Sequence, residues 1–207
     1  MGLDPAIELI MPTVRQKYKK IRHYHNPGDC HELTFSCFQR LPLLTNDPWR
    51  ELLAESIDKA LDEHALRLGA FVFMPEHVHL LLWPIDPNDA RISQFLKTLK
   101  LSCSTKIKAR LRAVRSPILK QLTVLERPGK SVFRFWQEGP GYDRNLDNPE
   151  TVHASIDYFH ENPVKRKLCR RAVDWHWSSA RIYYPTPGLL PVISPCVTPL
   201  PAEFLTR

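Results

Sequence analysis

The chain has 207 residues, 43% hydrophobic and 25% charged, which is typical of a folded protein with one well-buried core and excludes a disordered chain. Its formal net charge of +7 is compatible with a polyanionic partner. The longest apolar runs, such as LLLW at 80–83, are too short to cross a bilayer, so we expect no membrane partner. Five scattered cysteines without a C-x-x-C pair predict reduced thiols in a cytoplasmic protein, not a disulfide framework or a zinc ribbon.

The first part of the chain predicts an arm, a strand and a helix. Residues 1–22 are expected to form a loosely held N-terminal arm. The segment HELTFSCFQR at 31–40 is rich in aromatic and β-favouring residues and predicts the first strand. Asp47 and Pro48 form a cap and a first-turn proline, and the apolar residues that follow have helical spacing, so the first helix is predicted over 48–67.

The middle of the chain predicts a hairpin and a second helix. Gly69 ends the first helix, and the segments GAFVFM and HVHLLLW predict two strands joined by a tight turn at Pro75 and Glu76. Apolar residues at helical spacing from Ile92 to Leu111 then predict a second long helix.

The last part of the chain predicts a strand, a helix and a tail. SVFRFWQ at 131–137 predicts the fourth strand, and the glycine-rich EGPGYDRN after it predicts a turn. Asn148 and Pro149 predict the start of another helix, again as a cap and a first-turn proline. Residues 185–207 contain six prolines and predict an extended tail, because proline is excluded from helix interiors and central strands.

The order of these elements indicates an α+β fold. It matches a ferredoxin-like β-α-β-β-α-β core with an antiparallel sheet, followed by a C-terminal helix that bears Tyr158 and by the extended tail. The core domain is predicted to cover residues 23–184.

Two histidines lie one residue apart in the third predicted strand. Residues i and i+2 of a strand share a face, so His77 and His79 are expected to point the same way. Two neutral imidazoles held in this way can bind one divalent cation and leave coordination sites open. On this motif alone, the alternative of two structural histidines is favoured.

The helix that begins at Asn148 has a polar stripe beside its apolar one. Its polar members recur at i, i+4, i+7 and i+11 and are Thr151, Ser155, Tyr158 and Asn162. Tyr158 and Asn162 therefore face the same way, one turn apart. Pro163 disfavours helical geometry at the residue before it, so Asn162 is expected at the frayed end of the helix. From spacing alone, the alternative that Tyr158 is an ordinary tyrosine at the edge of the apolar face is favoured.

The histidine pair and the tyrosine helix complement each other chemically. A phenol, with a pKa near ~10, is a poor nucleophile unaided at neutral pH. A metal ion on neighbouring histidines can polarise a phosphodiester and stabilise the charge of its transition state. The amide oxygen of Asn162 would be a suitable third ligand for Mg²⁺ or Mn²⁺, which favour oxygen donors.

Two clusters of basic residues predict contact with nucleic acid. Residues 90–116 contain eight basic residues and no acidic one, whereas a solvated helix face normally mixes charges. A second cluster occupies 165–171. Trp175 and Trp177 could stack on bases, although we expect that at least one of them packs in the core. The predicted DNA-binding residues are Arg91, Lys97, Lys100, Lys106, Lys108, Lys165 and Arg166.

Four blocks of sequence, in order, resemble a known family. MPEHVHLLL resembles the MPNHVHLL signature of the HUH single-tyrosine transposases. WQEGPGYDRN, DYFHENPVKRKL and WHWSSA resemble the branch of REP-associated tyrosine transposases. The resemblance extends from about Tyr24 to Tyr184.

The resemblance implies a function and a set of site residues. It implies a metal-dependent endonuclease and strand transferase that acts on single-stranded, hairpin-bearing DNA and forms a 5′-phosphotyrosine link with a free 3′-hydroxyl. Carried over by position, Tyr158 is the nucleophile, and His77, His79 and Asn162 bind the metal, Mg²⁺ or Mn²⁺. We accordingly expect a cytoplasmic bacterial protein that associates with the nucleoid when bound to DNA, as a monomer or a homodimer.

Three positions depart from the family pattern. Glu76 stands where the family usually has Asn, Phe159 where it has Ile, and Lys167 where it often has Gly. None of these changes removes a predicted catalytic group. Glu76 could tune the metal site or face water.

Two alternative functions stay open from the sequence. The basic segment alone is compatible with a non-catalytic or domesticated protein that binds DNA or RNA hairpins on the same fold. A zinc hydrolase that uses His77 and His79 would need a third nitrogen or sulfur ligand, for which His31 and His153 are the candidates.

Overall fold

The computed structural model describes residues 26–205. Within this range the chain forms six strands and five α-helices. The predicted arm at 1–22 lies outside the described residues. The strands are β1 (Cys30–Ser36), β2 (Leu66–Phe73), β3 (His77–Pro84), β4 (Thr123–Arg127), β5 (Lys130–Phe133) and β6 (Tyr142–Leu146). The helices are α1 (Asp47–Glu63), α2 (Ile92–Ala113), α3 (Ile118–Gln121), α4 (Pro149–Lys165) and α5 (Ala180–Tyr183). No helix among these residues is long and apolar enough to span a membrane.

Four of the strands form one antiparallel sheet in the order β2-β3-β1-β6. With α1 between β1 and β2, and α2 between β3 and β6, the sequence of elements is β-α-β-β-α-β. The predicted fold class is therefore confirmed, including the additional helix α4 after the last strand of the sheet.

The fourth strand of this sheet is not the predicted one. SVFRFWQ contributes β5, which pairs with β4 in a separate two-stranded sheet. The strand that pairs with β1 is β6, whose sequence YDRNL belongs mostly to the segment predicted as a turn. β6 lies at the edge of the sheet, and only one of its faces is covered by the protein. Most of its residues are therefore polar, so its sequence lacks the apolar pattern by which a strand is recognised.

The first helix is shorter than predicted. It ends at Glu63, not at residue 67, because Leu66 already pairs with Pro84 in the sheet and is fully buried there. Leu66 and Leu68 fit the helical spacing of α1, but their burial in β2 decides the conformation.

The sheet separates two apolar layers. Leu33, Leu80 and Phe73 belong to the layer that packs against α1 and α2. Leu81 and Val72, which alternate with them along the strands, belong to the layer that packs against α4. Alternate residues of each strand therefore face opposite layers: one set faces α1 and α2, and the other set faces α4.

Helix α4 begins as predicted and continues further than predicted. The side chain of Asn148 caps it by accepting a hydrogen bond of 2.9 Å from the backbone N–H of Thr151. The expectation that Asn162 lies at a frayed end is wrong, since the helix continues through Pro163 to Lys165 and Asn162 is 94% buried. Backbone N–H groups beyond the proline still bond to the helix, as Arg166 does to the carbonyl of Asn162. Packing of α4 on the sheet outweighs the local preference of the residue before proline.

Two tryptophans near the C-terminal end of the domain hold the layers together. Trp177 is buried, stacks on Phe73, and donates from Nε1 to Asp47 at 2.7 Å. Trp175 donates from Nε1 to the carbonyl of Phe73 at 3.0 Å and lies against the guanidinium of Arg50. Both indoles thus have partners within the protein, which confirms the expectation that at least one packs in the core.

The proline-rich segment after residue 184 lies along the edge of the sheet. The backbone N–H of Thr198 donates to the carbonyl of Leu68 in the edge strand β2, and Leu200 and Phe204 are buried against α4. This contact covers an edge that would otherwise leave β2 open to pairing with another strand. Most of the segment is extended, and a short 3₁₀ helix forms at Ala202–Phe204.

The stability of the fold should depend strongly on one glycine. Gly141 has a φ of +87°, and a Cβ atom there would lie 2.3 Å from the carbonyl oxygen of Thr34 in β1. An L side chain in this conformation already carries about 1–2 kcal/mol of strain. We therefore expect Gly141→Ala to lower the free energy of unfolding by about 3 kcal/mol or more, measured by urea unfolding.

Gly188→Ala is the matched control. Gly188 also has a positive φ, of +80°, but a Cβ atom there meets nothing within 4 Å. Its replacement should cost about 1–2 kcal/mol, from strain alone. An equal loss for the two substitutions would contradict the close approach of Gly141 to β1.

Candidate active site

The hairpin of β2 and β3 places two imidazoles side by side. His77 and His79 both point to the α4 side of the sheet, with ring centroids 4.8 Å apart and their Nε2 atoms 3.0 Å apart. Both residues are buried. The prediction that they share a face is therefore met in the structure.

Each imidazole is held through its other nitrogen. The Nδ1 atom of His77 lies 3.0 Å from Oε1 of Glu76, and the Nδ1 atom of His79 lies 2.8 Å from the hydroxyl of Thr34 on the paired strand β1. Because a carboxylate can only accept, Nδ1 of His77 carries the proton and its Nε2 presents a lone pair. The hydroxyl of Thr34 can accept from Nδ1 of His79, and the two Nε2 lone pairs then converge on one point.

Burial keeps both imidazoles neutral. Burial, with a smaller contribution from His77, lowers the pKa of His79 to about 3. Burial also lowers the pKa of His77, although the carboxylate of Glu76 opposes this effect. Neutral imidazoles are the form that binds a cation, so the pair is ready for one without losing protons.

An amide from α4 completes the group. The side-chain amide of Asn162 lies 3.2 Å from Nε2 of His79, and turning it about its last bond exchanges its nitrogen and oxygen. In octahedral coordination with bonds of about 2.1 Å, adjacent ligands are about 3 Å apart. The separations of 3.0 and 3.2 Å therefore fit adjacent ligands of one cation. No group of three His, Cys, Asp or Glu side chains forms a metal site in the described part of the chain, so the donor set here is two imidazoles and an amide.

The predicted nucleophile lies next to this group. Tyr158 is 45% exposed, and its ring centroid is 5.5 Å from that of His79. The next residue, Phe159, is fully buried and stacks on the same imidazole at a centroid distance of 5.1 Å. Helix α4 thus directs an apolar ring into the core and a phenol into solvent.

Tyr158 lines a cleft of about 790 Å³ whose walls are rich in cations. Lys165 and Arg166, at the end of α4, form one wall, and the Nζ atom of Lys165 lies 5.6 Å from the centroid of the Tyr158 ring. Arg40 also lines the cleft. It follows Gln39 in a short turn in which both residues have φ near +50°, an uncommon conformation for residues other than glycine.

Glu76 is the carboxylate of this cleft and does not face water. It is 93% buried, and its Oε1 atom accepts hydrogen bonds from His77, Arg166 and Arg40. Burial raises its pKa, but the hydrogen bond from Arg166 and the contact with His77 lower it more, so the net pKa is below the usual range. The carboxylate is therefore ionised at neutral pH.

The structure separates the predicted DNA-binding residues into two groups. Lys165 and Arg166 line the cleft, whereas the five on or beside α2 lie in the layer on the opposite face of the sheet. Four of these five have partners within the protein. Arg91 pairs with Asp89, Lys100 donates to the carbonyl of Gly139 at 2.9 Å, Lys106 pairs with Glu55, and Lys108 lies over the ring of Phe133.

Lys100 has the most interior position of the α2 group. Its ammonium lies 5.1 Å from the centroid of the Phe35 ring, and burial lowers its pKa to about 8. Lys97, by contrast, is exposed. A DNA contact by Lys97 therefore needs no rearrangement, while Lys100 would first have to leave Gly139.

The third ligands considered for a zinc hydrolase are placed elsewhere. His31 alternates with Glu32 and Thr34 along β1, so it faces the α1 and α2 side, where Nδ1 bonds to Asp143 at 3.0 Å. Nε2 of His153 bonds to the carbonyl of Phe204 at 2.9 Å. Neither imidazole joins His77 and His79.

Arg40 and Thr34 were not predicted from the sequence, and for Glu76 the sequence left open whether it tunes the metal site or faces water. Arg40, Thr34 and Glu76 act through contacts between segments that are 36 to 90 residues apart. The signal for Glu76 was the MPEH block, where a carboxylate directly precedes His77.

Comparisons with known proteins agree with this fold. Residues 30–123 match the family model of the IS200-like transposases. The matched segment contains His77 and His79, whereas Tyr158 and Asn162 follow it. None of the curated proteins compared with the chain matches it.

Two solved structures are similar to the chain. The structure of a REP-associated tyrosine transposase bound to a REP hairpin has a TM-score of 0.59 and 21% identity, over 84% of this chain and 89% of the other. A protein from Deinococcus radiodurans R1 described as a transposase has 22% identity over 70% of this chain and 97% of its own, with a TM-score of 0.41. The first similarity establishes the fold.

The family match confirms the resemblance indicated by the sequence motifs. Residues 30–123 thus match the IS200-like transposases, and the chain has the fold seen in the solved REP-associated tyrosine transposase.

Proposed function

We propose that the chain cuts and rejoins single-stranded DNA through a covalent link to Tyr158, with Mg²⁺ or Mn²⁺ bound by His77, His79 and Asn162. The observation that carries this proposal is the placement of an exposed tyrosine beside two buried imidazoles and an amide, in a cleft lined by cations. The similar structure that is bound to a REP hairpin supports a substrate that carries a hairpin.

In the proposed reaction, the phenol oxygen of Tyr158 forms a bond to phosphorus and loses its proton to solvent. The bond between phosphorus and the 3′-oxygen breaks, and this oxygen takes up a proton, which leaves a 3′-hydroxyl and a 5′-phosphotyrosine. Attack by a 3′-hydroxyl on the phosphotyrosine reverses the same bonds and completes strand transfer.

The rigid setting of these side chains supports this chemistry. Tyr158 and Asn162 lie one turn apart on α4. The ring of Phe159 packs against His79, which fixes the position of the helix relative to β3. A bound divalent cation would supply Lewis acidity to a phosphate oxygen. Lys165, Arg166 and Arg40 would hold the flanking phosphates in the cleft.

Removal of one oxygen atom tests the nucleophile. Tyr158→Phe should abolish the covalent protein–DNA adduct, since a phenyl ring cannot bond to phosphorus, and should leave single-stranded DNA affinity within about twofold. The adduct is measured on denaturing gels after incubation with labelled hairpin DNA and Mn²⁺.

Tyr142→Phe is the matched control. Tyr142 is also exposed, at 49%, and it pairs with Thr34 on the strand next to β3. We expect its variant to form the adduct normally. An adduct that survives Tyr158→Phe and disappears in Tyr142→Phe would show that the nucleophile is wrongly assigned. If the wild-type protein forms no adduct, a non-catalytic hairpin-binding protein would be favoured.

Removal of an imidazole tests the metal site. His79→Ala should weaken Mn²⁺ binding by more than about 100-fold, beyond the 10–100-fold typical when an outer partner of a ligand is lost. Isothermal titration of the protein without DNA measures the affinity, and EDTA should stop adduct formation by the wild-type protein. His153→Gln serves as the control, and an equal loss of affinity in both variants would contradict the site.

The salt dependence of binding tests the path of the strand. Each phosphate neutralised on a single strand contributes about −0.7 to the slope of log K against log salt. The double variant Lys165→Met, Arg166→Met should therefore make the slope less negative by about 1.4, measured by fluorescence anisotropy.

Lys106→Met is the comparison for this measurement. Lys106 lies on α2, in the layer on the opposite face of the sheet from the cleft, so its loss should change the slope by less. A larger change for Lys106→Met than for the double variant would place the strand on α2 and contradict the cleft.

A further inference from the structure

A single carboxylate oxygen connects His77 to the basic residues that line the cleft. Oε1 of Glu76 accepts from Nδ1 of His77 at 3.0 Å, from Nη1 of Arg166, and from Nη2 of Arg40 at 3.4 Å. Glu76 is 93% buried, whereas the side chains of Arg166 and Arg40 are 43% and 66% exposed. The buried carboxylate is thus hydrogen-bonded to two guanidinium groups that are partly exposed at the surface.

This arrangement has electrostatic and geometric consequences. Three cationic side chains, Arg40, Lys165 and Arg166, line the cleft, and a divalent cation on His77 would be repelled by them. The ionised carboxylate reduces this repulsion. It also determines which nitrogen of His77 carries the proton, because an acceptor at Nδ1 leaves Nε2 as the lone pair that faces His79.

We propose that Glu76 is a positioning residue that fixes His77 in its Nδ1-protonated tautomer, with Nε2 available to the cation, and that holds Arg166 at the wall of the same cleft. This inference rests on the proposed function for the identity of the cation. A carboxylate on the outer nitrogen of a metal-binding histidine fixes the orientation of the ring and raises its basicity. Glu76 does so from the position directly before its histidine.

A purely structural role is the alternative to be separated. Arg166 follows the last residue of α4, so its pair with Glu76 also ties the end of this helix to the turn between β2 and β3. Loss of that tie alone would lower the free energy of unfolding. It would leave the tautomer of His77 and the affinity for Mn²⁺ unchanged.

Two measurements on the full chain without DNA test the proposal. The first is the affinity for Mn²⁺ by isothermal titration, which Glu76→Gln should weaken by about 10–100-fold because the amide carries no charge. The second is the long-range ¹⁵N–¹H imidazole spectrum of metal-free protein. It should show His77 protonated at Nδ1 in the wild type and in a mixture of tautomers in Glu76→Met, which offers no acceptor there.

Glu63→Gln is the matched control. Glu63 also directly precedes a histidine, and its Oε1 lies 3.7 Å from Nε2 of His64, but the pair is at the end of α1 and outside the cleft. This variant should keep the wild-type affinity for Mn²⁺. If Glu76→Met does not fold, Glu76→Gln and its Mn²⁺ affinity still decide the question.

The possible outcomes separate this inference from the proposed function. A wild-type His77 protonated at Nε2, or a Glu76→Gln variant that binds Mn²⁺ within twofold of the wild type, would overturn the role of Glu76 even if the DNA adduct forms. A wild-type protein that shows the Nδ1-protonated tautomer but binds no Mn²⁺ would contradict the metal-dependent function and still support the positioning of His77 by Glu76.

Discussion

The antiparallel register between β1 and β3 is the constraint on which the candidate site depends. It sets Thr34 opposite His79, so a hydroxyl from one strand meets the imidazole of the next. Because side chains alternate along a strand, a slip of one residue would turn both imidazoles toward α1 and α2 and remove them from Tyr158. Apolar residues in two layers resist such a slip, since Leu80 and Leu81 are both fully buried, on opposite faces.

The same burial gives the site its electrostatic character. Two imidazoles with Nε2 atoms 3.0 Å apart cannot both carry charge in a buried setting, and burial depresses the pKa of each. Charge in the cleft is therefore carried by groups around the pair: the carboxylate of Glu76 and the cations of Arg40, Lys165 and Arg166. The surface that a phosphodiester would meet is positive, while the imidazoles next to it stay neutral.

The sequence was sufficient for those parts of the site that depend on local periodicity. Alternation along a strand predicts that His77 and His79 share a face, and helical spacing predicts that Tyr158 and Asn162 do. Local rules failed where tertiary packing decided the conformation. Asn162 precedes a proline yet is helical and buried, and β6 is a strand because β1 offers it a pairing partner.

The basic residues illustrate a different limit of sequence patterns. A segment without acidic residues predicts a charged surface, but it does not reveal partners supplied by other segments, such as Glu55 for Lys106 or the carbonyl of Gly139 for Lys100. Conversely, the sequence did not indicate that Arg40 lines the cleft, because a turn roughly 100 residues before α4 in the chain places it there. The charge pattern thus indicates a polyanionic partner for the chain, but it does not identify the residues that would contact this partner.

We propose that Tyr158 forms a covalent bond to DNA phosphate in this cleft. The most direct test of this proposal is mass spectrometry of peptides from wild-type protein incubated with Mn²⁺ and hairpin-bearing single-stranded DNA, then digested with nuclease and protease. We expect a nucleotide attached through its 5′-phosphate to the peptide that contains Tyr158. A nucleotide attached to any other residue, or to none while the DNA is cleaved, would contradict the proposal.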